Sequence, residues 1–369
     1  MKTKFILILF PILSVSLTSC GQVLNYNDHL EDYVFTMSYH DDFNILQLSD
    51  IHWNINSSTI SSKQYLKKLF KEVDDHLPSG QKIDLVELTG DMFMLANTYH
   101  VESFINFMED MAESYGFKYA PIWGNHDHHG IYNPNWLSKK FSEAEHSIFV
   151  DPDDNLYGRS NYVINLVNGN DTVWQIANLD SGASFSESSI SPFREYDYIR
   201  KDQTDWWKKE HDLVGDNVPV IAYYHISQDE NLKAYNIRSS LKNKFFKLED
   251  FADNGNEEYE SDFFDVAKDH GLKGVFMGHA HNIDWTAEYE GVVLGLGVKT
   301  GTELYFAHIN KDSENEFMKE GLASIGGTDE NFDLVGASLV TIKDDTSFDL
   351  EHLYFNERTS GDYVRWVKW

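Results

Sequence analysis

Side chains of the types that bind metal ions occur at five separate places along the 369-residue chain. Each place follows a short apolar run, as expected where a buried strand ends. The residues are Asp50, His52, Asp91, Asn125, His126, His225, His279 and His281. A single histidine after a strand is more often hydrogen-bonded than metal-bound, but five such strand ends in order predict a metal site.

The ligand types limit the metal that this site could hold. Imidazole, carboxylate and amide oxygen, without a thiolate, suit Fe, Mn or Zn. A carboxylate can bridge two ions, and two ions about 3.5 Å apart can bind a phosphate and supply a nucleophile. Because the ions would set the local field, an acidic protein could still bind an anionic substrate.

The elements that must position these residues alternate in the first part of the body. Apolar runs at 44–48, 84–88 and 119–123 predict strands, and helical periodicity predicts helices at 62–77 and about 101–115. This β-α-β-α-β order implies parallel strands with right-handed crossovers. In such sheets ligands bind beyond the carboxyl ends of the strands, where residues distant in sequence meet.

The rest of the body predicts more strands and fewer helices. The expected elements are a hairpin over 162–179, helices at 201–213 and 263–270, and strands at 218–224, 274–277, 285–289, 292–296, 339–342 and 348–355. The polar segments 228–260 and 307–333 predict surface loops or lids over the site.

The composition disfavours several classes of function. Sixty Asp and Glu residues against 30 Lys and Arg residues give a net charge of −30. This balance argues against binding of intact nucleic acid and against docking on anionic lipid by a basic patch. The 41% hydrophobic and 14% aromatic content suffices for a large core. The single cysteine cannot form an intramolecular disulfide, and the oligomeric state is open.

The N-terminus resembles the signal of a bacterial lipoprotein. Lys2 and Lys4 precede an apolar stretch over 5–17, which is too short to span a bilayer comfortably. It ends in the letters LTSCG, which resemble a lipobox with Cys20 as the acylated residue. An ordinary secretory signal with an incidental cysteine is the alternative interpretation.

This resemblance implies three segments. They are a lipoprotein signal peptide over 1–19, a lipidated Cys20 with a tether over 20–40, and one domain over 41–369. An acylated thiol would anchor the protein to a membrane without spanning it. We therefore expect an exported protein, lipid-anchored on the outer side of the cytoplasmic membrane or elsewhere in the cell envelope.

The metal-type motifs, taken in order, resemble the five signature blocks of calcineurin-like metallophosphoesterases. The matching blocks are Asp50-Ile51-His52, Gly90-Asp91, Gly124-Asn125-His126-Asp127, His225 and Gly278-His279-Ala280-His281. The resemblance covers residues 44–300. It implies an α/β (α+β) fold, a four-layer αββα sandwich of two mixed β-sheets flanked by helices.

The same resemblance assigns roles to the motif residues. One ion would be held by Asp50, His52, Asp91 and His281. Asp91 would bridge to a second ion, held also by Asn125, His225 and His279. His126 would assist the leaving oxygen rather than bind metal, and Asp127 would support the catalytic loop. Substrate contacts are expected from Asn125, His128 and His129, although exposed loop histidines are common.

A narrower resemblance, to the purple-acid-phosphatase-like branch, rests on blocks at 158–162, 179–182, 198–206 and 299–301. His52 stands where true purple acid phosphatases have glycine, and Met94 stands where they have the iron-ligating tyrosine. Without that phenolate we expect no purple charge-transfer band. A phosphate-binding arginine would have to be Arg159, Arg194 or Arg200, each of which a surface ion pair explains as well.

Together these features predict a lipid-anchored, extracytoplasmic phosphoesterase with two divalent or trivalent ions. The expected reaction is phosphomonoester hydrolysis by a metal-bridging hydroxide, with His126 assisting the leaving group. A phosphodiesterase of the same fold, acting on nucleotides, glycerophosphodiesters or lipid headgroups, is one alternative. A surface-binding lipoprotein without catalysis is another.

Overall fold

The described elements of the chain alternate between helices and strands up to the middle and are mostly strands afterwards. A computed structural model describes residues 33–53, 57–128, 134–150, 156–185, 195–237, 246–247, 261–281, 283–302, 307–309, 332–356 and 364–369. The helices are α1 (Ser57–His76), α2 (Thr98–Tyr115), α3 (Asn125–His128), α4 (Pro134–Ser142), α5 (Lys201–Val214), α6 (Asp229–Asn236) and α7 (Phe263–Lys268).

The strands are β1 (Val34–Ser38), β2 (Phe43–Leu48), β3 (Leu85–Thr89), β4 (Lys118–Ile122), β5 (Tyr162–Asn168), β6 (Asp171–Asn178), β7 (Ser184–Phe185), β8 (Glu195–Tyr196), β9 (Val220–Tyr223), β10 (Phe246–Lys247), β11 (Leu272–Met277), β12 (Trp285–Tyr289), β13 (Val292–Leu296), β14 (Ala307–Ile309), β15 (Phe332–Ile342), β16 (Phe348–Asn356) and β17 (Val364–Lys368). Within the described residues they form two large mixed sheets and a short ribbon. The eight-stranded sheet has the order β1-β5-β6-β9-β11-β13-β12-β10. The seven-stranded sheet has the order β17-β16-β15-β2-β3-β4, with β14 beside β15.

The predicted β-α-β-α-β unit is confirmed. β2 pairs with β3 in parallel, Ile45 opposite Leu85, and β3 pairs with β4 in parallel. The helix between β3 and β4 has clear end signals. The side chain of Asn97 caps the start of α2 by accepting from His100 N at 3.1 Å, and Gly116 ends it with a φ of +75°.

Alternating side chains along one strand show that the eight-stranded sheet is covered on both faces. Val220 and Ala222 face a cluster that includes Trp207 of α5 and Phe263 of α7. Ile221 and Tyr223, on the other face, belong to the main core. Helices α5 and α7 therefore cover one face of this sheet, and the second sheet covers the other.

The two sheets pack face to face through both polar and aromatic contacts. Gln47 of β2 donates to the carbonyl oxygen of Met277 in β11 at 3.1 Å. Phe276 of β11 meets Phe348 of β16 edge-on, with ring centroids 5.9 Å apart. Residues of α1 and α2 join the main core from the opposite face of the seven-stranded sheet. The predicted arrangement of two mixed sheets flanked by helices is therefore confirmed.

Three predicted connections contain regular structure. Val34–Ser38, inside the segment predicted as a tether, forms the edge strand β1 against β5, and Phe35 and Met37 are buried on its inner face. Helix α6 begins one residue into the predicted loop 228–260. β14 lies within 307–333, and β15 begins at Phe332. The polar residues around these elements obscure the hydrophobic periodicity from which they could have been predicted.

None of the described helices combines the length and the apolar character that crossing a bilayer requires. The predicted signal peptide and Cys20 lie outside the described residues.

Candidate metal centre

Strand ends from both sheets meet at the candidate metal centre. β2, β3 and β4 end shortly before Asp50, Asp91 and Asn125, and β9 and β11 end shortly before His225 and His279. The backbone N–H of His279 donates to Asp50 Oδ2 at 3.0 Å, so a ligand segment of one sheet is tied to that of the other. This is the convergence that the order of strand ends predicts.

Four predicted ligands adopt a left-handed backbone conformation, which is uncommon for residues other than glycine. Their φ angles are 52° for Asp50, 49° for His52, 50° for Asp91 and 74° for His279. Hydrogen bonds from Asp50 N to the oxygen of Gly90 (3.1 Å) and from His52 N to the oxygen of Asp91 (2.9 Å) hold these turns. Such strain costs roughly 1–3 kcal/mol per residue and clusters at functional sites.

Asp50, His52, Asp91 and His281 form the first ligand group, whose ligand atoms all lie within 4.8 Å of one another. The Nε2 atoms of His52 and His281 are 2.9 Å apart. Nε2 of His281 lies 3.2 Å from Asp50 Oδ1, and Nε2 of His52 lies 3.7 Å from Asp91 Oδ2. The four ligand atoms therefore converge on one small space.

Asp91, His225 and His279 form the second ligand group, again within 4.8 Å. Nε2 of His225 is 3.4 Å from Asp91 Oδ1 and 3.2 Å from the amide oxygen of Asn125. The Nδ1 of His225 is 2.8 Å from the carbonyl oxygen of Thr89. Because a carbonyl can only accept, Nδ1 carries a proton, so Nε2 is the ring nitrogen through which His225 could bind a metal ion.

The bonding state of these side chains fits a bound cation. Asp50 Oδ1, Asp91 Oδ2 and both ring nitrogens of His279 are buried and have no hydrogen-bond partner among the residues that the structure describes. Leaving such an atom unpaired costs roughly 1–3 kcal/mol, so buried polar atoms are normally satisfied. A metal ion would satisfy the two oxygens and one of the ring nitrogens of His279, and the ligand types suit Fe, Mn or Zn.

Burial and neighbouring charges shift the pKa values of these groups strongly. Burial, aided by the Lys299 ammonium, lowers the pKa of His52 to about 2. Burial, aided by His225, lowers the pKa of His279 to about 3. Burial also acts to lower the pKa of His225, but the carboxylate of Asp91 outweighs it and raises this pKa to about 9. His52 and His279 are thus neutral and ready to bind metal, whereas His225 must lose a proton first.

Two glycines allow the close approach of the motif loops. A Cβ on Gly90, whose φ is +88°, would lie 2.4 Å from Nδ1 of His225. A Cβ on Gly124 would lie 2.3 Å from Asp91 Oδ1. The Gly-Asp and Gly-Asn-His motifs therefore need glycine, because neighbouring backbone atoms and ligand side chains already occupy the space that a Cβ at these positions would fill.

His126 and Asp127 lie on the short helix α3, beside the ligand groups but outside both. The backbone N–H of His126 donates to Asp91 Oδ1 at 2.8 Å, and its half-buried ring lies 5.1 Å from the His52 ring between centroids. The Asp127 carboxylate is buried and accepts from the backbone N–H groups of Gly124 (2.9 Å) and Phe93 (3.1 Å). Asp127 thus joins two motif loops, and its supporting role in catalysis stays a prediction.

The other predicted contacts are placed less directly at the site. Nε2 of His128 lies 3.0 Å from Asp180 Oδ1, and the His128 side chain is 15% exposed. The guanidinium of Arg200 donates to Asp197 (2.8 Å) and to the hydroxyl of Tyr198 (3.0 Å). Arg200 thus forms an ion pair, the alternative to the phosphate-binding role considered for it. His129 and Arg194 lie outside the described residues. The role of His128 as a substrate contact stays a prediction.

Two residues at the centre were missed by the sequence reasoning. Lys299 is fully buried, and its ammonium donates to the carbonyl oxygen of Asp50 at 2.5 Å. Tyr196 presents its ring edge-on to the ring of His279, with centroids 4.3 Å apart. Burial and the charge of Asp91 raise the pKa of the Tyr196 phenol. For Lys299 the only signal in the sequence was the block at 299–301. No feature of the sequence singled out Tyr196.

A third group of possible ligands lies elsewhere in the described part of the chain. Asp212, Asp216 and His270 also bring their ligand atoms within 4.8 Å of one another, but both carboxylates are exposed. No part of this group was predicted from the sequence.

Known proteins share features with this chain. Phosphatase DCR2 of Saccharomyces cerevisiae is 27% identical over 206 residues, which cover 52% of this chain but only 35% of that protein. The protein named probable inactive purple acid phosphatase 28 of Arabidopsis thaliana is 23% identical over 309 residues, covering 71% of each chain. Among solved structures, the 5'-nucleotidase of Candida albicans aligns with 88% of this chain and 53% of that chain, at 12% identity and a TM-score of 0.37.

The chain also matches the model of a protein family. Residues 43–282, which include the two ligand groups, match the sequence model of the calcineurin-like phosphoesterases. This range exceeds half of the chain and contains the strand-end motifs in the predicted order. The chain belongs to the calcineurin-like phosphoesterase family.

Proposed function

We propose that this protein is a lipid-anchored, extracytoplasmic phosphoesterase that hydrolyses phosphomonoesters with two bound metal ions. One observation carries the catalytic part of the proposal: two groups of converging, buried ligand atoms share Asp91. A shared carboxylate is the feature that allows two ions to lie about 3.5–4 Å apart, the spacing of two-metal hydrolases. Fe, Mn and Zn are the candidate ions because no thiolate is present in either group.

The chain's own residues would divide the remaining work. When bound, two such ions supply positive charge to a phosphate group and lower the pKa of water. Asn125 would orient a phosphate oxygen with its amide while its own oxygen faces His225. His126, held by Asp91 through its backbone N–H, would donate a proton to the leaving oxygen of the ester. Neither ligand group contains a hydroxyl or a thiol, so hydrolysis needs no phosphoenzyme.

The ester class is proposed from the narrower resemblance and from the names of relatives. The blocks at 158–162, 179–182, 198–206 and 299–301 resemble the purple-acid-phosphatase-like branch. Two relatives are named as phosphatases, one of them as probably inactive. These similarities favour phosphomonoesters over the phosphodiester alternative.

The name of the inactive relative also supports a second candidate, a binding lipoprotein without catalysis. The ligand set of this chain speaks against that candidate. A site released from catalysis should have lost at least one ligand, whereas Asp50, His52, Asp91, His225, His279 and His281 all converge here.

Metal analysis and hydrolysis, measured on one preparation, test the catalytic proposal. The full chain would be purified without chelator, and its metal content measured by mass spectrometry. Hydrolysis of p-nitrophenyl phosphate and bis-p-nitrophenyl phosphate would be followed with added Mn, Zn or Fe. We expect about two ions per chain, faster turnover of the monoester, and a loss of about a hundredfold or more in His126→Ala with its metal retained.

The contrary outcomes are distinct. Faster turnover of the diester would replace the phosphatase by the phosphodiesterase. Two ions without turnover of either ester would favour the binding protein. Absence of metal, with no gain on adding ions, would contradict the proposal as a whole.

The lipid anchor is proposed from the resemblance of residues 17–21 to a lipobox. Expression in a bacterial host with radiolabelled palmitate tests it directly. We expect label and membrane association in the wild type and neither in Cys20→Ser. Equal membrane association of the two proteins would contradict the anchor.

A further inference from the structure

Tyr196 is brought to the metal centre by a part of the fold that belongs to neither large sheet. It lies on β8, which pairs antiparallel with β7 so that Ser184 is opposite Tyr196. This short ribbon places the phenol ring against His279 of the second ligand group. The ring centroids are 4.3 Å apart and the planes are at 79°, an edge-on contact.

One contact ties the ribbon to the site, and a second holds the two ends of the ribbon together. Before β7, the hydroxyl of Ser181 accepts from the backbone N–H of Ile226, directly after His225, at 2.8 Å. After β8, Asp197 packs so closely on Gly182 that a Cβ there would lie 2.7 Å from its carboxylate. The position of Tyr196 beside His279 is therefore built by the fold and not by one ring contact alone.

The phenol has the chemistry that a phosphate at this place would need. Tyr196 is half-buried, and its phenol lies within range of the charge of Asp91, the carboxylate shared by the two ligand groups. A phosphate bound between these groups presents anionic oxygens, which form strong hydrogen bonds with neutral or charged donors. A phenol O–H is such a donor, whereas Arg200 is directed at Asp197.

We propose that Tyr196 is a substrate-binding residue whose phenol donates a hydrogen bond to a phosphate oxygen on the His279 side of the centre. The inference rests on the proposed phosphoesterase function. It assigns to the β7–β8 ribbon the task of covering the second ligand group, and it makes Tyr196 the donor that supplements the metal ions there.

The test compares two phenols of the same segment, in full-length protein loaded with Mn. Tyr196→Phe keeps the ring against His279 and removes only the hydroxyl. Tyr198→Phe is the matched control, because the Tyr198 hydroxyl accepts from Arg200. Binding of inorganic phosphate would be measured by titration calorimetry, together with metal content and with KM and kcat for p-nitrophenyl phosphate.

We expect Tyr196→Phe to bind phosphate about ten- to a hundredfold more weakly than the wild type, with unchanged metal content. Tyr198→Phe should match the wild type in both measurements. Equal phosphate affinity in Tyr196→Phe and the wild type would overturn the inference. Loss of metal from Tyr196→Phe would also overturn it, since the hydroxyl would then serve to hold His279.

Failure of the proposed function itself would look different. A wild-type protein that takes up ions but neither binds phosphate nor hydrolyses the ester would remove the function, and the role of Tyr196 with it. A wild type that binds phosphate tightly, beside a Tyr196→Phe variant that binds it equally well, would leave the function intact and reject only this residue.

Discussion

Two regions of this molecule each bring aspartate and histidine side chains close together, but in different surroundings. The groups around Asp91 and the group of Asp212, Asp216 and His270 both bring ligand atoms within 4.8 Å. Asp91 is only 1% exposed, whereas Asp212 and Asp216 are exposed on the surface. Proximity alone therefore does not separate a metal centre from a chance cluster.

Hydrogen bonding separates them. Both oxygens of Asp212 accept from the Lys208 ammonium at 2.7 Å, and Nδ1 of His270 lies 2.7 Å from the oxygen of Val266. Asp91 Oδ2 and the ring nitrogens of His279 are buried and accept or donate no hydrogen bond within the described part of the chain. The buried groups are also held by left-handed backbone at Asp91 and His279. Unsatisfied atoms on a strained, rigid frame thus indicate a functional site.

The largest predicted effect comes from removing the carboxylate charge of Asp91. Removing the charge of Asp212 in the exposed group is the matched control. Asp91→Asn keeps the shape of the side chain but removes the carboxylate that both buried groups use. We expect it to lose at least one ion and about a thousandfold or more of its hydrolytic rate. Asp212→Asn should retain metal content and rate, because the Lys208 ammonium already satisfies both oxygens of that exposed side chain.

Both quantities can be read from one set of purified variants, by mass spectrometry and by hydrolysis of p-nitrophenyl phosphate. Loss of an ion from Asp212→Asn, or full metal content in Asp91→Asn, would reverse the comparison between the two groups.

Much of the fold and of the buried groups was predictable because the signals were local and repeated. Strong periodicity predicted β2, α1, β3, α2 and β4 to within a few residues. The ligand positions followed from five strand ends in order. Parallel strands end at the same edge of a sheet, so residues from Asp50 to His281 could be expected together without knowing any side-chain contact.

The remaining features depend on contacts that leave no periodic trace. β7 and β8 are two residues long, so the placement of Tyr196 against His279 could not be read from hydrophobic alternation. β1 adds a strand from a polar segment, where only Phe35 and Met37 are buried on the inner side. The exposed group around Asp212 arises from two helix ends that meet on the surface, and neither end carries a motif.

A second prediction uses one glycine from each region. Both Gly90, with a φ of +88°, and Gly215, with a φ of +113°, are unfavourable for alanine. A Cβ on Gly90 would also lie 2.4 Å from Nδ1 of His225 and 2.9 Å from the Cα of Gly124. A Cβ on Gly215 would meet no atom of the described residues within 4 Å. Gly90→Ala should therefore displace His225 and weaken metal binding by about tenfold or more.

Gly215→Ala should lower the melting temperature through backbone strain of roughly 1–3 kcal/mol but leave metal affinity unchanged. Competition with a chelating dye, together with thermal unfolding, distinguishes the two effects. Equal metal affinity in Gly90→Ala and the wild type would show that the close packing of that glycine does not control the second ligand group.

A third prediction is a pH dependence of metal binding in the buried region. Asp91 raises the pKa of His225 to about 9 in the metal-free protein, against burial, which acts to lower it. Metal binding requires Nε2 of His225 without a proton. Metal affinity should thus rise by about tenfold per pH unit between pH 7 and 9 and then level off.

The stability of the metal-free protein should change in the opposite direction. Since the pKa of His225 is higher in the folded chain than its usual value near 6.5, its contribution to stability is complete below pH 6.5 and disappears as the pH rises through 9. The Lys208 ammonium lowers the pKa of Asp212 below its usual range, so the Asp212 carboxylate stays charged throughout this window.

Thermal unfolding from pH 6 to 10 should therefore show the same decline in Asp212→Asn as in the wild type. Asp91→Asn should lack it, and a decline that persists in Asp91→Asn would assign the pH dependence to another group.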